Sequence, residues 1–318
     1  MPNWEPGASL EILRHRADLL AKLRAFFEGK EILEVETPAL ARAPVTDLHI
    51  QSLTTEILDA NIIKTFYLQT SPEFAMKRLL AFNAEPIYQI AKVFRHDPLT
   101  KNHNPEFTLL EWYRPGFTMG QLMDEVAELL SSLLACDSIP AFSYRELFEK
   151  YFRINPHRVS SDELLALTQK QLELSNTDLT DTDCLQLLMF SVIEPALPEF
   201  CFVYDYPKAQ ASLSVIEADS DEDQVARRFE VYCRGMELGN GYLELTDAQE
   251  QRKRFEQDNA LRKKKGLDVY PLDEKFLSAL ESGLPVCSGV ALGVDRLLMS
   301  MHELTNIDQA ISFALERI

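Results

Sequence analysis

Two stretches far apart in the chain carry residue types suited to holding a nucleotide. The first is Phe94-Arg95-His96-Asp97, a polar loop, and then Asn104-Pro105-Glu106-Phe107-Thr108-Leu109-Leu110-Glu111-Trp112-Tyr113. The second is Gly289-Val290-Ala291-Leu292-Gly293-Val294-Asp295-Arg296. An arginine closing one strand and another opening a glycine-spaced helix can grip a triphosphate from two sides, because guanidinium groups fork onto phosphate oxygens. That pattern points to chemistry on a phosphate rather than plain binding.

The elements that must position these residues read as follows. Leu10, Leu13, Ala17, Leu20, Leu23 and Phe27 recur at helical spacing, and Gly29 is a plausible stop. Ile32 to Pro38 reads as a strand closed by proline, and Tyr67 to Thr70 as a short strand. Ser71 as N-cap, Pro72 at the first helical position and Glu73 in the first turn start a helix. Pro86 to Arg95 and Phe107 to Tyr113 read as an antiparallel pair, with Phe107, Leu109, Glu111 and Tyr113 sharing one face by alternation. The stretch from about 118 to 200 is mostly helical and reads as an insertion. Cys201 to Asp205 and Ala211 to Ile216 are strand-like, Val225 to Glu237 alternates, Thr246 to Lys265 is a charged helix, and Pro285 to Ala291 is a last strand before a helix from Val294. Strand runs separated by unrelated helical blocks predict an α+β fold.

Bulk properties bound the function. The chain has 318 residues, 46% of them hydrophobic, enough for a sizeable core. It has no run of 18 apolar residues, so no membrane span is expected, and the polar, proline-bearing start from Met1 to Ser9 does not read as a signal peptide. Five scattered cysteines indicate neither a zinc site nor a disulfide framework, which fits a cytoplasmic protein. The net charge of −18 disfavours nucleic-acid partners such as tRNA. The one basic region, Arg252-Lys253-Arg254 followed by Arg262-Lys263-Lys264-Lys265, reads either as a solvated helix face or as a docking patch for an acidic partner.

The motifs resemble class II aminoacyl-tRNA synthetases. The helix and strand ending at Pro38 resemble the first motif, which implies a homodimer interface; Arg95 through Tyr113 resembles the second, and Gly289 through Arg296 the third. Thr70-Ser71-Pro72-Glu73 with Lys77-Arg78-Leu79, His103 through Thr108, and Glu237-Leu238-Gly239-Asn240-Gly241-Tyr242 resemble the lysine branch. The first motif begins near residue 10, so the expectation is a single catalytic domain over 1–318, with the insertion at about 118–200 and without an anticodon-reading OB barrel. That arrangement is similar to the elongation factor P–lysine ligase family, as are Phe229 through Asp247 and Ser288 through Arg296. The resemblance implies an antiparallel sheet flanked by helices, ATP as a substrate with Mg²⁺ as cofactor, (R)-β-lysine or lysine as the other substrate, and elongation factor P as protein acceptor.

It also implies roles for particular residues. Two anions, a carboxylate and the α-phosphate, must meet, so fixed cations have to hold them. Arg95 would bridge them, and Arg296 would contact the far phosphates and the adenine face. His103 would add a phosphate contact, Phe107 would stack on adenine, and Asn104 and Asp97 would hold its edge or the loop. His96, Leu238 and Gly293 complete the expected ATP set. Family members have glutamate where Asp97 stands, one methylene longer. Glu230 and Glu237, seven residues apart, would hold Mg²⁺ against the phosphates, although alone such a pair reads as solvent-facing. Glu244 with Tyr113 would take the side-chain ammonium, and Glu73 and Glu111 the other amine, since each buried ammonium needs a charged partner. Ser71, Pro72, Asn240 and Tyr242 would line the pocket. Ala291 stands where lysyl-tRNA synthetases have glycine and points to β-lysine, unless glycine and alanine simply interchange there. Two other readings stay open: a truncated synthetase paralogue acting on tRNA or another acceptor, and a non-catalytic amino-acid sensor. The retained Arg95, Arg296, Glu230, Glu237 and Glu244 weigh against the sensor.

Overall fold

A computed structural model describes residues 4–134, 136–175 and 178–318. The start of the polar Met1–Ser9 segment and three positions within the expected helical insertion thus lie outside the described residues. The chain divides into two compact units, Met1–Phe117 with Leu245–Ile318, and Thr118–Glu244.

In the first unit, α1 (Leu10–Glu28) opens on Ser9, whose hydroxyl accepts the Ile12 N–H, and buries Leu19, Leu23 and Phe27. Phe27 stacks on Tyr88 at 4.4 Å and meets Trp112 edge-on at 5.3 Å. Strand β1 (Leu33–Glu34) is shorter than the Ile32–Pro38 strand expected. The ladder continues only to the Val35 N–H on Tyr88 O; Pro38 has no N–H to extend it. Next come β2 (Leu40–Ala41), β3 (Thr54–Asp59) and β4 (Ile62–Leu68), a separate sheet in the order β2-β4-β3. The sequence reading reached only its end, at Tyr67. The hairpin turns on Ala60 and Asn61, both at positive φ; that geometry normally announces itself through Asn-Gly or Asp-Gly, so the signal was hidden. Helix α2 (Glu73–Asn83) begins one residue later than expected, with Pro72 as cap, while the Ser71 hydroxyl still accepts the Glu73 N–H at 3.1 Å. Strands β5 (Ile87–Phe94) and β6 (Glu106–Pro115) pair antiparallel from Ile87 opposite Tyr113 to Phe94 opposite Glu106.

The second unit holds α3 (Met119–Leu133), β7 (Ala141–Ser143), α4 (Tyr144–Phe152), α5 (Ser161–Leu172), α6 (Asp181–Leu188), β8 (Phe200–Pro207), β9 (Ile216–Ala218), β10 (Gln224–Cys233) and β11 (Met236–Leu243). Thr118 with Gln121 and Ser143 with Glu146 form reciprocal capping boxes, which is why α3 and α4 start where they do. The strands run β11-β10-β8-β7, with β9 beside β10. Tyr144, Phe148, Leu188, Ile193, Val203 and Tyr206 form its core. Ala211 to Val215, expected as strand, is not: Ser214 folds back, and both its N–H and its hydroxyl bond Ala211 O at 2.8 Å.

The chain re-enters the first unit with α7 (Ala248–Lys264), α8 (Glu274–Gly283), β12 (Cys287–Gly293) and α9 (Val294–Met301). Strand β12 pairs antiparallel with β6, so β1-β5-β6-β12 are neighbours in that order. The mixture of helices and predominantly antiparallel strands is the expected α+β class. No described helix is long and apolar enough to cross a membrane.

Candidate active site

The most unusual electrostatics of the first unit gather on β6 and the start of α2. Glu111, 2% exposed, accepts the Tyr113 hydroxyl on Oε1 at 2.7 Å, and its buried Oε2 makes no hydrogen bond of good geometry, although the Ser71 side chain still favours the charged form. An orphaned buried carboxylate oxygen costs free energy, which a ligand cation would recover. Burial, and then the charge of Glu73, push the Glu111 carboxyl up to about 8, against the opposing influence of Tyr113, Ser71 and Lys77. Glu73 is itself matched by Lys77, whose Nζ lies 2.6 Å from Oε1 and is 1% exposed in its side chain. Lys77, named above only as part of a family motif, is thus a member of this cluster to which the sequence reading gave no role. Its position one helical turn from Glu73 was the available signal. Register places Ala291 opposite Glu111 on β12 and Gln89 opposite it on β5, so all three side chains share one sheet face. A cleft of ≈ 530 Å³ is lined by Thr70, Ser71, Pro72 and Glu73 together with Arg42 and Arg78.

The two arginines of the sequence reading both fall in this unit. Arg95, at the end of β5, donates from Nε to Thr70 O at 3.2 Å and lies over the Phe107 ring at 5.2 Å. Arg296, in the first turn of α9, donates from NH2 to His103 Nε2 at 2.9 Å and from Nε to Asn102 O at 3.4 Å. Since arginine can only donate, His103 Nε2 is the acceptor and Nδ1 carries the proton, donated to Thr100 Oγ1 at 2.7 Å. Burial, then the Arg296 charge, hold the His103 imidazole below its ordinary pKa despite Asp97, with Arg95 acting in the same direction. His103 is therefore a neutral partner that orients Arg296 here. Asn104 uses both ends of its amide, donating to Glu106 O at the start of β6 at 2.7 Å and accepting the N–H of Leu315 in the C-terminal segment at 3.0 Å. His96 is tied to Gln51 through its backbone N–H, 2.9 Å from Gln51 O. Gly293 caps α9 in an extended conformation.

The two carboxylates expected at the metal, Glu230 and Glu237, and the Glu244 expected at the side-chain ammonium fall in the second unit, on β10, on β11 and just after β11. The pair is bulged between Val231 and Tyr232, which sets Glu237 opposite Tyr232 and Glu230 opposite Asn240. Glu230 is nearly buried. Its Oε1 is paired with Arg228, and its Oε2 accepts hydroxyls from Tyr206, at 2.7 Å, and Tyr232. Burial and the Glu230 charge keep both phenols protonated. Burial opposes the charge of Arg228, but the neighbouring carboxylate outweighs it. Arg228 also donates to Asn240 Oδ1 at 3.2 Å and to Gln210 O at 3.0 Å, and Asn240 donates to the Tyr242 hydroxyl at 3.0 Å. Arg228, within the alternating stretch Val225 to Glu237 but given no role by the sequence reading, is the hub of this network; its place two residues before Glu230, on the same strand face, was the available signal. Glu244, 2% exposed, bridges through its backbone to Ser214, and Leu238 is buried. Among the described residues no group of three or more His, Cys, Asp or Glu is arranged to hold a metal. A metal at Glu230 and Glu237 would share Glu230 with Arg228 and draw its remaining ligands from phosphate and water, as Mg²⁺ commonly does.

The basic region shrinks as a docking patch. Arg252 pairs with Glu274 at 2.6 Å, Arg254 with Glu250 at 3.0 Å and Lys253 with Glu250 at 3.5 Å. Arg262 is buried, stacked 4.0 Å from the Tyr270 ring and bonded to Asp47 O and Asp268 O. Lys263, Lys264 and Lys265 are the basic residues of its second half left exposed.

Comparison with known proteins places these residues in a lineage. The family described as tRNA synthetases class II (D, K and N) matches residues 6–317, and the chain belongs to it. Among its curated relatives is an "Elongation factor P--(R)-beta-lysine ligase" of Proteus mirabilis, 46% identical over 99% of this chain and 98% of the relative. Proteins of the same name from Haemophilus ducreyi, 44% identical over 99% of this chain and 97% of the relative, and from Hamiltonella defensa, 43% identical over 99% and 98%, are similarly close.

Proposed function

We propose that the chain is an ATP-dependent ligase that activates (R)-β-lysine or lysine as an aminoacyl-adenylate and transfers it to a lysine side chain of elongation factor P. The observation that carries the reading is the full-length likeness to ligases of that name. The buried Glu111, with an oxygen awaiting a cation, supports the choice of a diamino acid. In the first step an amino-acid carboxylate oxygen attacks the α-phosphorus, and the bond to the departing pyrophosphate breaks. In the second, the acceptor amine attacks the acyl carbon, AMP leaves with the bonding pair, and the amine gives up a proton to water. No general base is required from the chain, because a deprotonated amine is already a good nucleophile.

The residue assignments follow the charges. Arg95 bridges the carboxylate and the α-phosphate, with Phe107 beneath it as the adenine platform. Arg296, aimed by His103, takes the outer phosphates. Glu111 and Glu73 receive one ammonium, and Glu244 the other. Glu230 and Glu237 would hold Mg²⁺, which when bound offsets the charge of the phosphates. The protein acts as a homodimer in the cytoplasm. Comparing transfer of radiolabelled β-lysine to elongation factor P and to tRNA tests the acceptor: labelling of tRNA alone would replace this reading with the synthetase paralogue. Absence of amino-acid-dependent ATP–pyrophosphate exchange would leave only the sensor.

Two further expectations arise here. Glu111 binds its proton more tightly than an exposed carboxyl, and a substrate ammonium reverses that, so binding expels the proton. The bound state then holds fewer protons than the free state, and affinity should rise with pH up to about 8. In the unliganded protein the sign is opposite: the folded state holds the proton that the unfolded state loses, so this contribution to stability is present below the ordinary carboxylate pKa and fades as pH climbs toward 8. Calorimetric titration in buffers of different ionisation enthalpy should show proton release in the wild type and none in Glu111→Gln; equal release in both would remove Glu111 from this role. Separately, Ala291→Gly deletes the methyl facing Glu111 and should shift preference toward α-lysine, measured as the ratio of kcat/KM values in pyrophosphate exchange. An unchanged ratio would make the methyl neutral.

A further inference from the structure

We infer that Arg16, on α1, is a positioning residue for ATP that acts through Asp295 to set the aim of Arg296. The inference rests on the reading of Arg296 as a phosphate contact. The first motif otherwise explains α1 only as an interface element, yet Arg16 turns inward. Its NH1 donates to Asp295 Oδ1 at 2.6 Å and to Ala310 O at 3.4 Å, while NH2 donates to Thr108 Oγ1 at 2.8 Å. Asp295 Oδ2 accepts the Thr108 backbone N–H at 2.7 Å. The three residues close a ring that ties α1, β6 and α9 together. Asp295 is 2% exposed in its side chain and Arg16 15%, so the ring is largely shielded from competing water.

Asp295 and Arg296 are successive residues of the first turn of α9, about a hundred degrees apart around its axis at 3.6 residues per turn. Fixing Asp295 therefore fixes the rotation at which Arg296 leaves the helix toward Asn102 and His103. Thr108, the other end of the ring, follows Phe107 directly, so the ring references Arg296 to the strand that carries the expected adenine platform. Small misplacements matter for a phosphate grip: an error of about 1 Å can cost on the order of a hundredfold in rate. The ring needs a forked cation, because one ammonium cannot serve Asp295 and Thr108 with separate nitrogens.

The test uses the full chain in ATP–pyrophosphate exchange with lysine and with β-lysine, alongside thermal melts. Arg16→Lys should raise the KM for ATP about tenfold and leave the amino-acid KM within about twofold. Arg16→Gln leaves a buried Asp295 charge uncompensated and is a folding risk, so the decisive variant is the neutral pair Arg16→Gln/Asp295→Asn, which removes the buried charges together. It should melt near the wild type and still show the raised KM for ATP. Arg296→Ala is the reference. If it raises the KM for ATP and the neutral pair does not, positioning through Arg16 is wrong while the phosphate role stands. If Arg296→Ala leaves that KM unchanged, the phosphate role and the positioning inference fall together. A parallel rise in both substrate constants with a lowered melt would mark Arg16 as merely structural and would also overturn the inference.

Discussion

Replacing Arg95 with alanine should reduce adenylate formation by about 10²–10³-fold, equivalent to about 2.7–4 kcal/mol of lost transition-state stabilisation. The size follows from where charge accumulates. Attack of a carboxylate on a phosphate concentrates negative charge between two groups that repel, and a cation already in place stabilises it without reorganisation. Arg95 is held by its Nε bond to Thr70 O and by the Phe107 ring beneath it, which would preorganise it for the proposed duty. Lysine at 95 should recover only part of the rate, since a point charge cannot fork between carboxylate and phosphate. Single-turnover measurement of adenylate with saturating ATP and amino acid separates this loss from weaker binding. A rate within about threefold of the wild type would show that Arg95 does not touch the reacting atoms.

The second large effect concerns stability. Arg228→Met should destabilise the second unit by about 3–5 kcal/mol, because Glu230 would be left in a nearly buried site with its counter-ion gone. The two tyrosines that also bond Glu230 soften this loss, but phenols bring no positive charge. The double variant Arg228→Met/Glu230→Gln should recover most of the loss, since a neutral amide can use the same hydroxyls without a compensating cation. Chemical denaturation of the three proteins makes the comparison. Equal stabilities of the wild type and Arg228→Met would mean that Glu230 finds its compensation elsewhere.

The same network bears on metal binding. Glu237→Gln leaves the Arg228–Glu230 pair intact, so it should weaken the Mg²⁺ dependence of exchange without lowering the melting temperature. A wild-type Mg²⁺ titration in that variant would remove Glu237 from the set of metal ligands.

Much of this molecule was legible as sequence because the deciding physics is local. The helix of Leu10 to Phe27, the pairing of Pro86–Arg95 with the strand ending at Tyr113, and the last strand running into a helix at Val294 all follow from apolar periodicity and from proline and glycine punctuation. Glu230 and Glu237, seven residues apart, read as lying on a bulged or turning strand pair, and the structure has both the bulge, between Val231 and Tyr232, and the turn, at Arg234-Gly235. Where local signals were weak, elements were missed or misread. The β3–β4 hairpin turns on Ala60-Asn61 rather than on glycine, α8 carries no motif, and the apolar letters of Ala211 to Val215 belong to a turn.

The residue types that mark the chemistry, and the lineage they belong to, were determined by the sequence alone. The state in which those residues are held was decided by tertiary structure. Nothing in the letters distinguishes a surface Arg262 from one stacked beneath Tyr270, or a solvent-facing Glu111 from one whose oxygen is sealed away from water. Nor could they show that His103 is a neutral acceptor for Arg296, that Glu230 already has a guanidinium partner, or that Arg16 reaches Asp295 across 279 positions of chain. Burial and charge pairing arise between segments remote in sequence, and a carboxylate's proton affinity depends on those neighbours rather than on its own place in the chain.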